Sequence, residues 1–174
     1  MDLLEHLTKE HREAEDLIAR LAETDPGSER DRLIDELTDA LTTHMEVEEQ
    51  FLYPITLEVI GEEEAEEGNN EHDLARDGLK QLRELKDQPG WAAALDMVKA
   101  GIDHHVEDEE QEMFPQLREK AGDRIAALDP EKLEASIDLT KEQLYRQAKE
   151  AGVEGRSDMT RDELAQALAS QGQA

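Results

Sequence analysis

The sequence predicts an all-α chain: an up-down-up-down four-helix bundle followed by a small C-terminal helical module. Three observations carry that reading. Four apolar stripes recur at steps of three and four residues, the connections between them are short, and no alternating β-branched run suggests a strand.

The first stripe runs through Leu4, Leu7, His11, Ala14, Ile18 and Leu21 and stops at Asp25, Pro26 and Gly27. The second uses Leu37, Leu41, His44, Glu48, Phe51 and Ile55, and Pro54 is expected to end or kink its helix. A polar, acidic stretch from Gly61 to Asn70 reads as a connection, after which a third stripe holds His72, Ala75, Leu79 and Leu82 as far as Asp87, Pro89 and Gly90. The fourth takes Leu95, Val98, Ile102, His105, Glu109 and Met113, closed by Pro115. These lengths fit one bundle over residues 1–120, with a short helix and linker over 121–138. In the remainder, residues 139–174, Thr140 with Gln143 and Thr160 with Glu163 have capping-box spacing, which predicts two short helices in a separate module.

Composition narrows the function classes. The 174 residues include 46 acidic and 19 basic side chains, a formal net charge of −27, so the chain repels phosphate backbones and anionic lipid unless its cations are segregated. Cysteine is absent, which excludes disulfides, thiolate metal sites and a cysteine nucleophile. The longest apolar run, Trp91 to Leu95, is far too short for a membrane span, and residues 1–30 lack a signal-peptide core; a soluble, cytoplasmic protein without a membrane partner is expected. No P-loop, strand-linked GxGxxG turn or serine-nucleophile motif points to a nucleotide or an organic substrate.

The chemistry lies in a duplication. Sliding the chain against itself by 61 positions lays His11 on His72, His44 on His105, Glu48 on Glu109 and Pro54 on Pro115. HMEVEEQFLYP at 44–54 then covers HVEDEEQEMFP at 105–115, with six identities in eleven. His11, His44, Glu48, His72, His105 and Glu109 each interrupt an apolar stripe, so polar groups from every helix point into one core. A buried unpaired carboxylate costs several kcal/mol, and a small domain cannot sustain two without a compensating cation. His and Glu at i and i+4 share a helix face and can reach one metal or a bridged pair. Four imidazoles and two carboxylates exceed a single tetrahedral zinc and favour iron or manganese in a dinuclear centre. The rival reading is a buried His–Glu hydrogen-bond network, or a zinc ion that never turns over. His6 and His104 fall outside the repeated register and read as surface residues; the acidic runs Glu62–Glu67 and Glu107–Glu112 read as mostly solvated faces without the spacing of a calcium loop.

The succession H, HxxxE, H, HxxxE with its EExxxxP tail resembles the hemerythrin-like HHE cation-binding domain over roughly residues 1–120. The resemblance implies a four-helix bundle holding two non-haem iron ions, with His11, His44, Glu48, His72, His105 and Glu109 as ligands and the two carboxylates bridging. It also implies a small oxidant as ligand: oxygen, hydrogen peroxide or nitric oxide, bound or sensed, or peroxide decomposed in a catalase-like reaction. Animal hemerythrins carry a second histidine one turn after the third-helix histidine, where this chain has Arg76. The resemblance then implies coordination that is more open or completed by solvent or another carboxylate, and Glu15, its counterpart in the repeat, reads equally as that carboxylate or as a solvated residue. Tyr53, before the first proline, reads as core with a hydroxyl able to approach the metal, as Phe114 reads as core before the second.

The segment LTKEQLYRQAKEAGVEGRSDMTRDELAQAL resembles the small helical module at the N-terminus of the transcription terminator Rho, a SAP-like motif. That resemblance implies nucleic acid as a partner through Arg146, Lys149, Arg156 and Arg161, and hence a stress protein targeted to nucleic acid as an alternative function. The segment's net charge of −1, from five basic and six acidic residues, predicts weak affinity at best, and a docking or stabilising role fits better.

Overall fold

The computed structural model describes residues 1–137 and, beyond them, Lys149 alone; the chain divides into two units, Met1–Ser136 and Ile137–Ala174. The helices expected over 139–174 therefore lie outside the described residues.

In the first unit, every regular element among the described residues is helical. Four long helices, α1 (Leu3–Ala22), α2 (Ser28–Val47), α4 (Glu62–Leu85) and α5 (Trp91–Asp108), supply the bulk; α3 (Tyr53–Val59), α6 (Phe114–Ala126) and α7 (Pro130–Ser136) are shorter. α1 packs on α2 and α5, and α4 packs on α2 and α5, so the four close around a shared interior. α6 packs against α1 and α3. No helix among the described residues is long and apolar enough to cross a membrane.

Local chemistry explains the starts. Asp2 caps α1 in a reciprocal box: the Glu5 amide donates to the Asp2 side chain at 2.9 Å and the Asp2 amide to the Glu5 side chain at 3.1 Å. Gly27 and Gly90 precede α2 and α5 with φ of 148° and 103°, backbone angles that a side chain would strain. The acidic stretch after Gly61, expected to be a connection, is helix from Glu62 onward. Glu62, Glu63 and Glu64 lie in the first turn, where the helix dipole favours them, and buried Ala65 and Gly68 lead at helical spacing to His72.

The two prolines do not end their helices either. A π-helical turn spans Glu48–Leu52 and another Glu109–Met113, and Pro54 and Pro115 sit in the first turns of α3 and α6. In each wide turn a backbone bond reaches five residues back, from the Tyr53 amide to the Glu48 carbonyl and from the Phe114 amide to the Glu109 carbonyl. The extra residue carries the helix past a proline that has no amide to give. It also turns the buried face by one position, so Leu52 and Tyr53 are buried while Phe51 is only half-buried.

The apolar interior brackets the polar residues. Ala14, Ile18, Leu21, Leu33, Ile34, Leu37, Leu82, Leu95 and Ile102 belong to one cluster. Leu3, Leu4, Leu7, Leu52, Met113 and Leu117 are buried beyond the His and Glu positions, at the opposite end of the bundle from that cluster. At the far end the Arg30 guanidinium is buried over the Trp91 ring at 4.4 Å and donates to the Lys86 carbonyl at 2.6 Å, tying the α2 start to the α4–α5 connection.

Candidate metal centre

All six residues singled out by the repeat are buried: His11, His44, Glu48, His72, His105 and Glu109, none above 8 % exposed. Five of them, His11, His44, Glu48, His105 and Glu109, offer donor atoms that all lie within 4.8 Å of one another. His72 stands outside that set but adjoins it, its Nε2 3.2 Å from Glu48 Oε2 and 3.4 Å from His105 Nε2. The donor cluster is therefore elongated.

Each imidazole is oriented by a carboxylate on its other nitrogen. Nδ1 of His11 meets Glu110 at 2.8 Å, Nδ1 of His44 meets Glu10 at 2.9 Å, Nδ1 of His72 meets Glu49 at 2.8 Å, and Nδ1 of His105 meets Glu71 at 2.9 Å. A carboxylate can only accept, so each Nδ1 carries the hydrogen and each neutral ring presents a bare Nε2 lone pair inward. Nε2 of His11 and His44 then face one another at 3.1 Å. Two lone pairs at that distance repel unless a proton or a metal ion lies between them.

The carboxylates give the same answer. Glu48 and Glu109 are fully buried, yet both Glu48 oxygens and Oε2 of Glu109 accept no hydrogen bond. His44 and His72 Nε2 come within 3.2 Å of Glu48 Oε2 without the alignment of a hydrogen bond. Donor atoms that approach one another but aim at a shared centre suit ligation, not mutual bonding. Orphaned buried carboxylate oxygens are among the costliest groups a core can hold. Burial raises the Glu48 pKa, but His44, His105 and His72 more than reverse this and hold it well below the usual carboxylate range. Burial lowers His105, and Glu109 with Glu48 and Glu71 drives it well above the ordinary imidazole value; His11 and His72 are raised in the same way by their carboxylates. The site is poised to take up positive charge.

Tyr53 is both core and site. Its ring stacks on His72 at 5.3 Å, and its hydroxyl donates to Glu109 Oε1 at 3.1 Å and lies 3.1 Å from His72 Nε2. Burial, with Glu109 and Glu48 nearby, pushes the phenol far upward, so it stays neutral. Gly68 makes room: a Cβ there would stand 2.5 Å from the Tyr53 oxygen. In the other half Phe114 stacks on His11 at 6.0 Å.

Several expectations are corrected. Of the two readings open for Glu15, the structure favours the solvated one: it pairs with Arg12, half-exposed, outside the cluster. Arg76 turns its guanidinium to Glu49 at 2.7 Å and Asp73 at 3.3 Å, supporting the carboxylate that orients His72. Arg12 supports Glu110 in the same manner. Of the two histidines expected at the surface only His104 is exposed; His6 is half-buried and bonded to Glu134. Glu110, assigned to a solvated run, is drawn inward by His11. Apolar periodicity does not single out the four orienting carboxylates, although Glu10 with Glu71 and Glu49 with Glu110 obey the same offset of 61.

Against the four imidazoles lies a cavity of about 50 Å³, walled also by apolar side chains such as Leu41, Met45, Ile102 and Val106 and by Glu10, Glu13 and Glu71. At roughly 10–15 Å³ of such volume for one water, it admits a molecule of a few atoms.

Compared with known proteins, residues 2–117 match the family model described as hemerythrin HHE cation binding domain. No curated protein and no solved structure matches the chain, and the C-terminal likeness to Rho finds no support in these comparisons. A matched span of more than half the chain, over a buried His and Glu cluster built to receive cations, makes this chain a member of the hemerythrin HHE cation-binding family.

Proposed function

We propose that the protein is a hemerythrin-like, up-down-up-down four-helix bundle that holds two non-haem iron ions and uses them to bind or sense a small oxidant: oxygen, hydrogen peroxide or nitric oxide. The observation that supports this most is the set of orphaned oxygens on Glu48 and Glu109 facing four inward-directed Nε2 atoms. His11, His44, His72 and His105, with Glu48 and Glu109, each carboxylate lying near histidines of both halves, would hold the ions. Their carboxylate charge and the elongated donor cluster suit two ions better than one. Bound iron supplies redox chemistry and coordination positions open to small oxidants.

The protein's own part is to hold, orient and exclude. Glu10, Glu49, Glu71 and Glu110 fix each ring's tautomer and raise its basicity. The Tyr53 hydroxyl fixes one oxygen of Glu109 and leaves the other for metal. The small cavity against the imidazoles, walled by apolar side chains and edged by Glu10, Glu13 and Glu71, gives small molecules room beside the site and disfavours anions. The reading is tested by anaerobic loading with ferrous iron, then exposure to air, nitric oxide and peroxide in separate samples. A reversible change in the visible spectrum with oxygen or nitric oxide is expected for a binder or sensor. Sustained oxygen evolution from peroxide identifies the catalase-like alternative, and no spectral response to any of the three refutes the oxidant reading.

A further inference from the structure

The two halves of the duplication differ sharply on one flank. In the second half a cleft of about 70 Å³ runs between α4 and the end of α5 down to His105 and Glu109. Glu64, Glu67, Glu71, Asp108 and Glu112 line it, and no lysine or arginine does. At its floor stands Glu109, 1 % exposed, whose Oε2 accepts no hydrogen bond. Two of the lining residues, Glu71 and Asp108, share with the exposed His104 beside the cleft a cluster of one imidazole nitrogen and two carboxylates within 4.8 Å of one another.

Subtracting 61 gives the matching flank of the first half. Glu64, Asp108 and Glu112 become Leu3, Val47 and Phe51, Gly68 and Met113 become Leu7 and Leu52, and Glu67 and Glu71 become His6 and Glu10, half-buried and engaged with each other and with Glu134. Leu3, Leu7, Val47 and Leu52 are at most 1 % exposed. The ligand residues were kept in both halves, but one flank filled with buried apolar side chains, its remaining polar pair tied to Glu134, while the other stayed open and anionic.

We propose that the acid-lined cleft is the route by which divalent cations enter the buried site, with Glu71, His104 and Asp108 as the holding point on the way. This rests on the metal-binding reading above. A cleft lined by one sign of charge concentrates counter-ions and accelerates their arrival. A stripe of carboxylates without a countercharge, ending on an orphaned oxygen, directs a cation inward and then holds it more firmly than the route does. The matching flank, filled by Leu3, Leu7, Val47 and Leu52, offers no such stripe of carboxylates.

The test is kinetic. Full-length protein stripped with chelator is mixed with Co²⁺, and uptake is followed by stopped-flow absorption, with metal content measured at the end point. Two triple variants carry the same charge change on α4 or beside it: Glu64→Gln, Glu67→Gln, Glu112→Gln in the cleft, and Glu62→Gln, Glu63→Gln, Glu66→Gln away from it. The cleft variant should load about tenfold more slowly and reach the same final content, and the control should load within about twofold of the native rate. Asp108→Asn, a single change at the holding point, should slow uptake in the same direction. Equal rates for native and cleft proteins, or equal slowing in both triples, overturn the route while leaving the metal site intact. A native protein that takes up no Co²⁺ overturns the metal reading and this inference together.

Discussion

Residues 1–60 and 62–121 are two copies of one hairpin, and comparing them separates what the site requires from what it tolerates. Both keep the two histidines, the buried glutamate, the carboxylate behind each ring and the π turn that starts at the glutamate. Support for that outer layer is kept in function but inverted in sequence. Arg12 pairs with Glu15 and reaches Glu110, whereas in the other half Asp73 pairs with Arg76, which reaches Glu49. Side-chain identity is free to change there because only the charge delivered to the orienting carboxylate matters. The aromatic beside the ligands has diverged too: Tyr53 gives a hydroxyl to Glu109, and Phe114 gives none.

The largest effects should come from breaking what both halves share. Glu48→Ala and Glu109→Ala should each abolish stable iron binding, measured as metal content after reconstitution, while Glu15→Ala leaves it unchanged. Retention of iron in either glutamate variant would remove that residue from the ligand set. Next come the orienting carboxylates. Glu10→Gln and Glu71→Gln should each lower metal affinity by about 10–100-fold, and by similar factors, because they occupy equivalent places. A large difference between the two in competition titrations would show that the halves are not equivalent toward metal.

Tyr53→Phe sharpens the asymmetry. It strands a buried oxygen of Glu109 and should cost about 1–3 kcal/mol in denaturant unfolding of the metal-free protein. Gly68→Ala should reproduce part of that loss by forcing the Tyr53 hydroxyl aside. An unchanged midpoint in both variants would show that the hydroxyl contributes nothing.

The smallest effect is a pH trend. His11, His72 and His105 have raised native values, so in metal-free protein their contribution to stability is complete below the unfolded value of about 6.5 and is lost as pH rises through the native ones. Glu48, held low, contributes above its unfolded value of about 4.5 and loses that contribution in acid. The melting temperature of metal-free protein should therefore fall by a few degrees between about pH 6.5 and pH 8.5, and that of iron-loaded protein should not, because metal replaces the protons. Parallel curves for the two forms would contradict this.

Much of this was legible in the sequence because the stripes and the offset of 61 are strong periodic signals. The four long helices and the burial of all six His and Glu positions follow from them. The helix over Glu62–Asn70 was not legible, since a run of glutamates and asparagines offers little apolar period; it is helical because Ala65 and Gly68 suffice to continue the buried face. Tyr53, a core position from the sequence, is buried, but the partial exposure of Phe51, which falls in the apolar stripe, was hidden by the π turn, whose extra residue shifts the register beyond what a regular period foretells. Glu10, Glu49, Glu71 and Glu110 were visible in the repeat but lost among 46 acidic residues. Charge density makes a functional carboxylate look like a solvated one until a histidine nitrogen is found beside it.

The most direct measurement is elemental analysis of the full-length protein, stripped of metal, reconstituted anaerobically with ferrous iron and desalted. The account predicts about two irons per chain. Protein that retains no iron would contradict it, and would reduce the orphaned carboxylates and facing imidazoles to a protonated network.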